Sequence, residues 1–276
     1  MFKKDLLSIM RDDPSDERGF VYYQGTEENG MIRRGKVRSR ATKETYPIKN
    51  GYLDMMGRAL GADNIANLTN YLPGAGFGYE PLWRVHSLSL LIGEHFTNER
   101  ELRMMSSLVN LDGGGLFLDL GCSAGLYTRN MAERLGDQGD IIGIDIAPSM
   151  IREAIRRSRK AEVRPSFVRA DADNLPFADA SFAGVVCGGT LNELGDPAQA
   201  LQEVRRVLEP GGRIAIMGIL KAETTSGGYF QRLLTTGGVQ FFTPDEVRDL
   251  LTEAGLEPDQ LISRGPVFFA NATRIS

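Results

Sequence analysis

The 276-residue chain is poor in the residues that staple or metallate small folds. It has two cysteines, Cys122 and Cys187, two histidines, His86 and His95, and no Cys-x-x-Cys pair. A disulfide framework and a zinc ribbon are excluded by count, no metal is expected, and the cysteine usage fits a reducing, cytoplasmic setting. No stretch approaches about 18 consecutive apolar residues, so no transmembrane segment is expected. The opening "MFKKDLLSIMRDDPSDERG" meets acids before any sustained apolar run, which is not a signal-peptide pattern. Positive charge is not in surplus either. The formal net charge is −4, which gives no electrostatic footprint for a stable nucleic-acid partner. One local exception is "MIRRGKVRSRATK", Met31 to Lys43, where Arg33, Arg34, Lys36, Arg38, Arg40 and Lys43 occur with no acid between them. It reads as a solvated arm or hairpin.

What remains is an ordinary globular composition, 42% hydrophobic and 25% charged, in a chain long enough to bury a full core. From Leu116 onward strand-like and helix-like pieces alternate, the mark of βαβ units and a parallel sheet. "LFLDL" (116–120), "DIIGIDI" (140–146), "SFVRAD" (166–171), "FAGVVCGG" (182–189) and "RIAIMGIL" (213–220) read as strands. "AGLYTRNMAERLG" (124–136), "APSMIREAIRRSRK" (147–160) and "DPAQALQEVRRVLEPGG" (196–212) read as helices. Thr243 and Glu246 form the capping-box pattern of a last helix, 243–255, and "LISRG" and "VFFANATRI" close the chain as an antiparallel pair. Residues 1–75 read as a polar, extended and partly flexible segment, 76–110 as a helical lid, and 111–276 as the ligand-binding domain.

The chemistry centres on "LFLDLGCSAGLYTRN". Gly121 allows a tight turn at the end of a strand, and Gly125 allows close approach of a ligand or of the sheet. A dinucleotide fingerprint needs Gly-x-Gly-x-x-Gly. Here Ser123 stands where its second glycine would admit a pyrophosphate, so the ligand is expected to lack phosphates. Asp145, ending the second strand, can accept both hydroxyls of a ribose. Asp171 with the backbone N–H of Ala172 suits an adenine edge, and Asp119 suits an ammonium better than a phosphate. Ribose, adenine and an amino-acid ammonium together describe S-adenosylmethionine.

Residues 116–220 resemble a class I S-adenosylmethionine-dependent methyltransferase of the small-molecule, ubiquinone/menaquinone-biosynthesis-like group. The resemblance runs through "LDLGCSAG", "GIDIAPSMI", "RADADNLPFADASFAGVVC" and "ALQEVRRVLEPGGRIAI", in order and spacing, and "FFTPDEVRDLLTEAGLE" resembles the group's last helix and strand pair. It implies an α/β fold with a Rossmann-like, seven-stranded, mostly parallel sheet, an antiparallel C-terminal strand pair and an N-terminal cap. It also implies that Asp119, Gly121, Cys122 and Gly125 hold the methionine part, Asp145 the ribose and Ile146 one adenine face. Asp171 and Ala172 address the adenine edge, and Cys187 and Gly188 border the methyl group. Ala183 stands where the group usually has Asp. "TYPIKNGYLDMM" is similar to the end of a cysteine-rich N-terminal segment in rRNA guanine methyltransferases and a plastid-type group, but the zinc-binding cysteines are absent here. "GYEPLWR" resembles a tyrosine-containing helix that closes over the cofactor, which brings Tyr79 and Arg84 toward the methionine carboxylate.

Methyl transfer from a sulfonium is an in-line displacement, in which proximity and alignment do most of the work. A base is needed only when the acceptor proton has a high pKa. His86, three residues after Trp83 on one helical face, and Glu193, in the loop "GGTLNELGDP" with Asn192, are the candidates. The segment "KAETTSGGYFQRLLTTGGVQFF" supplies Phe230, Leu233, Leu234, Phe241 and Phe242 for the pocket of a small aromatic or lipophilic acceptor. Three alternatives stay open: an RNA (rRNA base) methyltransferase, supported by the basic stretch; an NAD-dependent oxidoreductase; and a catalytically silent cofactor-binding protein.

Overall fold

A computed structural model describes residues 2–13, 15, 18–57, 89, 92, 95–223 and 225–275. The N-terminal residues form strands β1 (Phe2–Lys3), β2 (Phe20–Glu28), β3 (Met31–Ser39), β4 (Thr45–Lys49) and β5 (Tyr52–Asp54). Two Asn-Gly pairs make the sharp turns. Asn29-Gly30 joins β2 to β3 with φ of 49° and 73°, and Asn50-Gly51 joins β4 to β5 with φ of 54° and 91°. Positive φ at both central residues is the hairpin geometry that Asn-Gly adopts most readily. The basic stretch Met31 to Lys43 therefore lies largely on the inner strand of a hairpin, β3, as its hairpin reading expected.

The second part follows the alternation expected from Leu116 onward. Helix α1 (Asn98–Leu108) precedes β6 (Gly115–Leu120), α2 (Leu126–Leu135), β7 (Gly139–Asp145), α3 (Pro148–Lys160), β8 (Ser166–Arg169) and β9 (Phe182–Gly188). Then come α4 (Pro197–Val207), β10 (Leu208–Ile219), α5 (Thr225–Thr235), α6 (Pro244–Glu253), β11 (Glu257–Arg264) and β12 (Val267–Thr273). Helix α4 stops at Val207 rather than running to Gly212, and Leu208 already pairs with Phe182 of β9. The cause is Pro210, which disfavours helical backbone at Glu209 and offers no N–H of its own.

The strand order is β1-β3-β4-β5-β8-β7-β6-β9-β10-β12-β11, with β2 paired to β3. The sheet is thus 12-stranded, not seven-stranded. The expected seven are the run from β8 to β11, parallel until β12 inserts antiparallel between β10 and β11. The extra strands come from the N-terminal residues. Strand β5 joins the sheet parallel to β8, with Leu53 opposite Val168 and Asp54 opposite Arg169. Ile32, Val37 and Ile48 share one apolar core with Leu118, Ile142 and Val168. Burial of those side chains holds the extension to the sheet at about 1.5–3 kcal/mol each. Among the described residues, no helix is long and apolar enough to cross a membrane.

Thr243 caps α6 in a complete capping box, its hydroxyl accepting the Glu246 N–H at 3.2 Å while the Glu246 carboxylate accepts the Thr243 N–H at 2.7 Å. Thr243→Ala is expected to cost about 1 kcal/mol in urea unfolding, with an unchanged slope.

Candidate functional site

The parallel strands β6 to β9 end along one edge of the sheet, where open α/β sheets bind their ligands. Gly121–Gly125 follows β6, Asp145 ends β7, Asp171 lies two residues past β8, and Cys187 and Gly188 end β9. These sequence-selected residues therefore line one edge of the sheet, across four neighbouring strands.

The turn after β6 is held from several directions. The Cys122 N–H donates to the Ile144 carbonyl, and the Gly125 N–H to the Cys122 carbonyl, each at 2.7 Å. Gly121 has φ of +69°, and a Cβ there would lie 2.2 Å from Thr190 Oγ1. Gly125 has φ of +77°, and a Cβ there would lie 2.8 Å from the Ala154 Cβ on α3. Ser123 also adopts positive φ, 47°, although it is not glycine. Such backbone costs about 1–3 kcal/mol and persists only where its surroundings enforce it. The enforcing partner is Asp145: the Ser123 N–H donates to its Oδ2 at 2.9 Å.

Asp145 ties two segments together, because its Oδ1 accepts the Ala147 N–H at 2.8 Å. Each carboxylate oxygen keeps a second lone pair, and the side chain is half-buried at the open edge. It can therefore still accept a pair of adjacent hydroxyls. Burial pushes its pKa up from 3.8 to about 6, against the pull of the Ala147, Ser123 and Ile146 backbone hydrogen bonds.

Asp119 is buried under the turn. Its Oδ2 accepts both the hydroxyl and the N–H of Thr128, the latter at 2.9 Å. It thus takes one of the first N–H groups of α2, whose N-cap Gly125 has no side chain to do so. Ala172 is buried, and the Asp171 carboxylate accepts the Asp173 N–H at 3.2 Å. Beside Asp171 is a cleft of about 150 Å³ whose facing wall is Tyr46, Met55 and Met56, from the N-terminal extension. Gly188 faces an aromatic ring: a Cβ there would lie 1.8 Å from Tyr127 Cε2. Tyr127 in turn donates to buried Glu101 of α1.

Ile146 is half-buried, and its carbonyl accepts from Arg169 Nε at 2.9 Å. Arg169 was not selected from the sequence, although a lone cation inside the apolar strand "SFVRAD" is a signal, since buried charge needs partners. Asn192 proves to be structural rather than a group over the donor. It is 3% exposed; its amide donates to the Ile219 carbonyl at 2.9 Å and the Gln240 carbonyl at 2.7 Å, and its oxygen accepts the Ile219 N–H at 2.9 Å. Glu193 is half-buried in the same single turn, Leu191–Glu193. Phe242 packs into the main core rather than into an acceptor pocket, Phe241 is half-buried and Leu234 is exposed. His95 is exposed and precedes α1 instead of lying within a helix. Tyr79, Arg84 and His86, and the side chains of Phe230 and Leu233, lie outside the described residues.

Both cysteines are buried. Burial, with Asp119 and Asp145 nearby, raises the Cys122 thiol well above its ordinary range, and burial pushes Cys187 up to about 12. Both are thiols, not thiolates, at neutral pH.

A family profile described as a methyltransferase domain matches residues 118–216. The chain is 35% identical over 130 residues to the 2-phytyl-1,4-naphtoquinone methyltransferase of Thermosynechococcus vestitus, covering 47% of this chain and 57% of that protein. It is 32% identical over 207 residues to the 27-O-demethylrifamycin SV methyltransferase of Amycolatopsis mediterranei, covering 72% and 73%. The phosphoethanolamine N-methyltransferase 2 of Haemonchus contortus, solved with S-adenosyl-L-methionine, superposes with a TM-score of 0.63 at 16% identity, over 80% of this chain and 61% of that one. At that identity the likeness is one of fold. The chain spans little more than half the length of the first curated relatives it matches, 57% and 53%.

Two outcomes are expected from the packing. Native protein should not react with a thiol-specific disulfide reagent at pH 8, while both cysteines react after unfolding. Asn192→Ala should cost about 2–4 kcal/mol in denaturant melts, because it strands three partly buried backbone groups.

Proposed function

The chain belongs to the S-adenosylmethionine-dependent methyltransferases, and on that premise we propose that it methylates a small aromatic or lipophilic acceptor at the β6–β9 edge. The observation that carries the placement is the Ser123–Asp145 hydrogen bond, 2.9 Å, which joins the glycine turn to an acid with acceptor capacity left over.

The residues present fit this cofactor. The turn brings backbone close without inviting phosphate, and Asp145 offers paired acceptors for the two ribose hydroxyls. Ile146 lies against one adenine face, while Asp171 and the Ala172 N–H address the adenine edge. Asp119, Gly121, Cys122 and Gly125 border the methionine part, with Tyr79 and Arg84 assigned to its carboxylate. S-adenosylmethionine bound there supplies an activated methyl group on a sulfonium. The chain's own work is to hold the donor in line with the acceptor and to keep competing nucleophiles away. Cys187, at the β9 end beside Gly188, is held as a neutral thiol and so does not compete for the methyl group. Where the acceptor must lose a proton, Glu193 and His86 are the side chains assigned to it.

The named relatives support a small-molecule acceptor, one being named for a phytyl-substituted naphthoquinone and the other for a demethylrifamycin. The basic strand β3 lies five strand spacings from β6, roughly 24 Å. Its charge is therefore distant from the β6 and β9 ends, where the methyl donor is proposed to lie, which weighs against an RNA base as acceptor.

Three measurements test this reading. With methyl-labelled cofactor, label should appear in members of a panel of quinols, phenols and polyketides; label in RNA and in none of the panel would overturn the acceptor assignment. Asp145→Ala should weaken S-adenosylhomocysteine binding about 10–100-fold by calorimetry. Because the carboxylate form accepts the hydroxyls and its pKa is raised to about 6, affinity should be level above neutrality. It should fall toward about tenfold per pH unit below that value.

A further inference from the structure

Arg169 is the last residue of β8 and one of the few charged side chains buried in the sheet, 5% exposed. Its guanidinium reaches two different segments. Nε donates to the Ile146 carbonyl at 2.9 Å, and Nη1 donates to the Gly57 carbonyl at 2.7 Å and faces Asp54 Oδ1 at 3.4 Å. Asp54 is wholly buried, accepts the N–H groups of Met56 and Gly57 at 3.2 and 3.0 Å, and pairs with Lys49 at 2.6 Å. The Arg169 carbonyl meanwhile accepts the Met55 N–H at 3.0 Å. Side chain and main chain of one residue thus fix the end of β5 on one side and the Ile146 turn on the other.

We infer that Arg169 is a positioning residue for the adenosine half of the cofactor, setting the Ile146 turn against the Met55-Met56 wall of the cleft. The inference rests on the placement given under Proposed function. A planar fork with fixed donor directions suits the task, because it constrains the direction of the Ile146 carbonyl as well as its distance. Lysine offers a compact charge on a flexible stem and no such fork. Ile146 directly follows Asp145, and Ala147, whose N–H Asp145 accepts, comes next. A carbonyl released at Ile146 therefore disturbs the adenine face and the ribose acceptor together. The methionine side, on the turn after β6, keeps the Cys122 and Gly125 backbone hydrogen bonds besides its Ser123–Asp145 bond.

The test compares two ligands that share adenosine, S-adenosylhomocysteine and methylthioadenosine, by calorimetry on the full chain, with circular dichroism to confirm folding. Arg169→Lys should weaken both by the same factor, about tenfold. Unchanged affinities in a folded variant would overturn the inference, and so would a loss confined to S-adenosylhomocysteine, which marks loosening of the methionine side. Arg169→Gln gives the same two comparisons where the lysine variant does not fold. Asp145→Ala separates the two readings: if it leaves both ligands bound as in the wild type, the placement of the cofactor fails, whatever Arg169 does.

Discussion

One backbone hydrogen bond, from the Ser123 N–H to Asp145 Oδ2, connects the two loops that shape the open edge of the sheet. It requires Ser123 to take positive φ, which requires a turn begun by Gly121 and ended by Gly125. That turn in turn lets Thr190 and Ala154 pack into the space that a Cβ at Gly121 or Gly125 would fill. The acid gives up solvation, which raises its pKa to about 6 against the pull of its backbone N–H donors. Strain, close packing and an elevated carboxylate pKa are therefore linked features of one arrangement.

The N-terminal residues change how that edge is walled. Strands β1 to β5 carry the sheet past the β8 edge, where the expected seven strands end, and their side chains enter the same core. Strand β5 also brings Met55 and Met56 to the cleft beside Asp171. The cleft beside Asp171 is thus built jointly by the parallel strands and by a segment that precedes them by more than sixty positions.

Much of this was legible in the sequence for physical reasons. The apolar runs 116–120 and 182–189 had to be strands buried on both faces, and the acids at 119, 145 and 171 fell where strands ended. The capping box at Thr243 was readable from residue types alone and is present. The N-terminal strands were legible only as a hairpin and extended pieces, because β2 and β3 are mostly polar or exposed along their length. Their real signal was local, in Asn29-Gly30 and Asn50-Gly51, two turn dipeptides that impose hairpins without any hydrophobic period. The structural part played by Asn192 was not legible, because a buried amide and a functional one look alike until their partners are known. Arg169 was overlooked because its partners, Asp54 and Gly57, lie more than a hundred positions away.

A crystal structure with S-adenosylhomocysteine is the most direct measurement. The expected result places the two ribose hydroxyls about 2.7 Å from the Asp145 oxygens, with the Ser123 and Ala147 hydrogen bonds intact. A ribose bound elsewhere, or an Asp145 turned away from Ser123 to meet it, would contradict the proposed site.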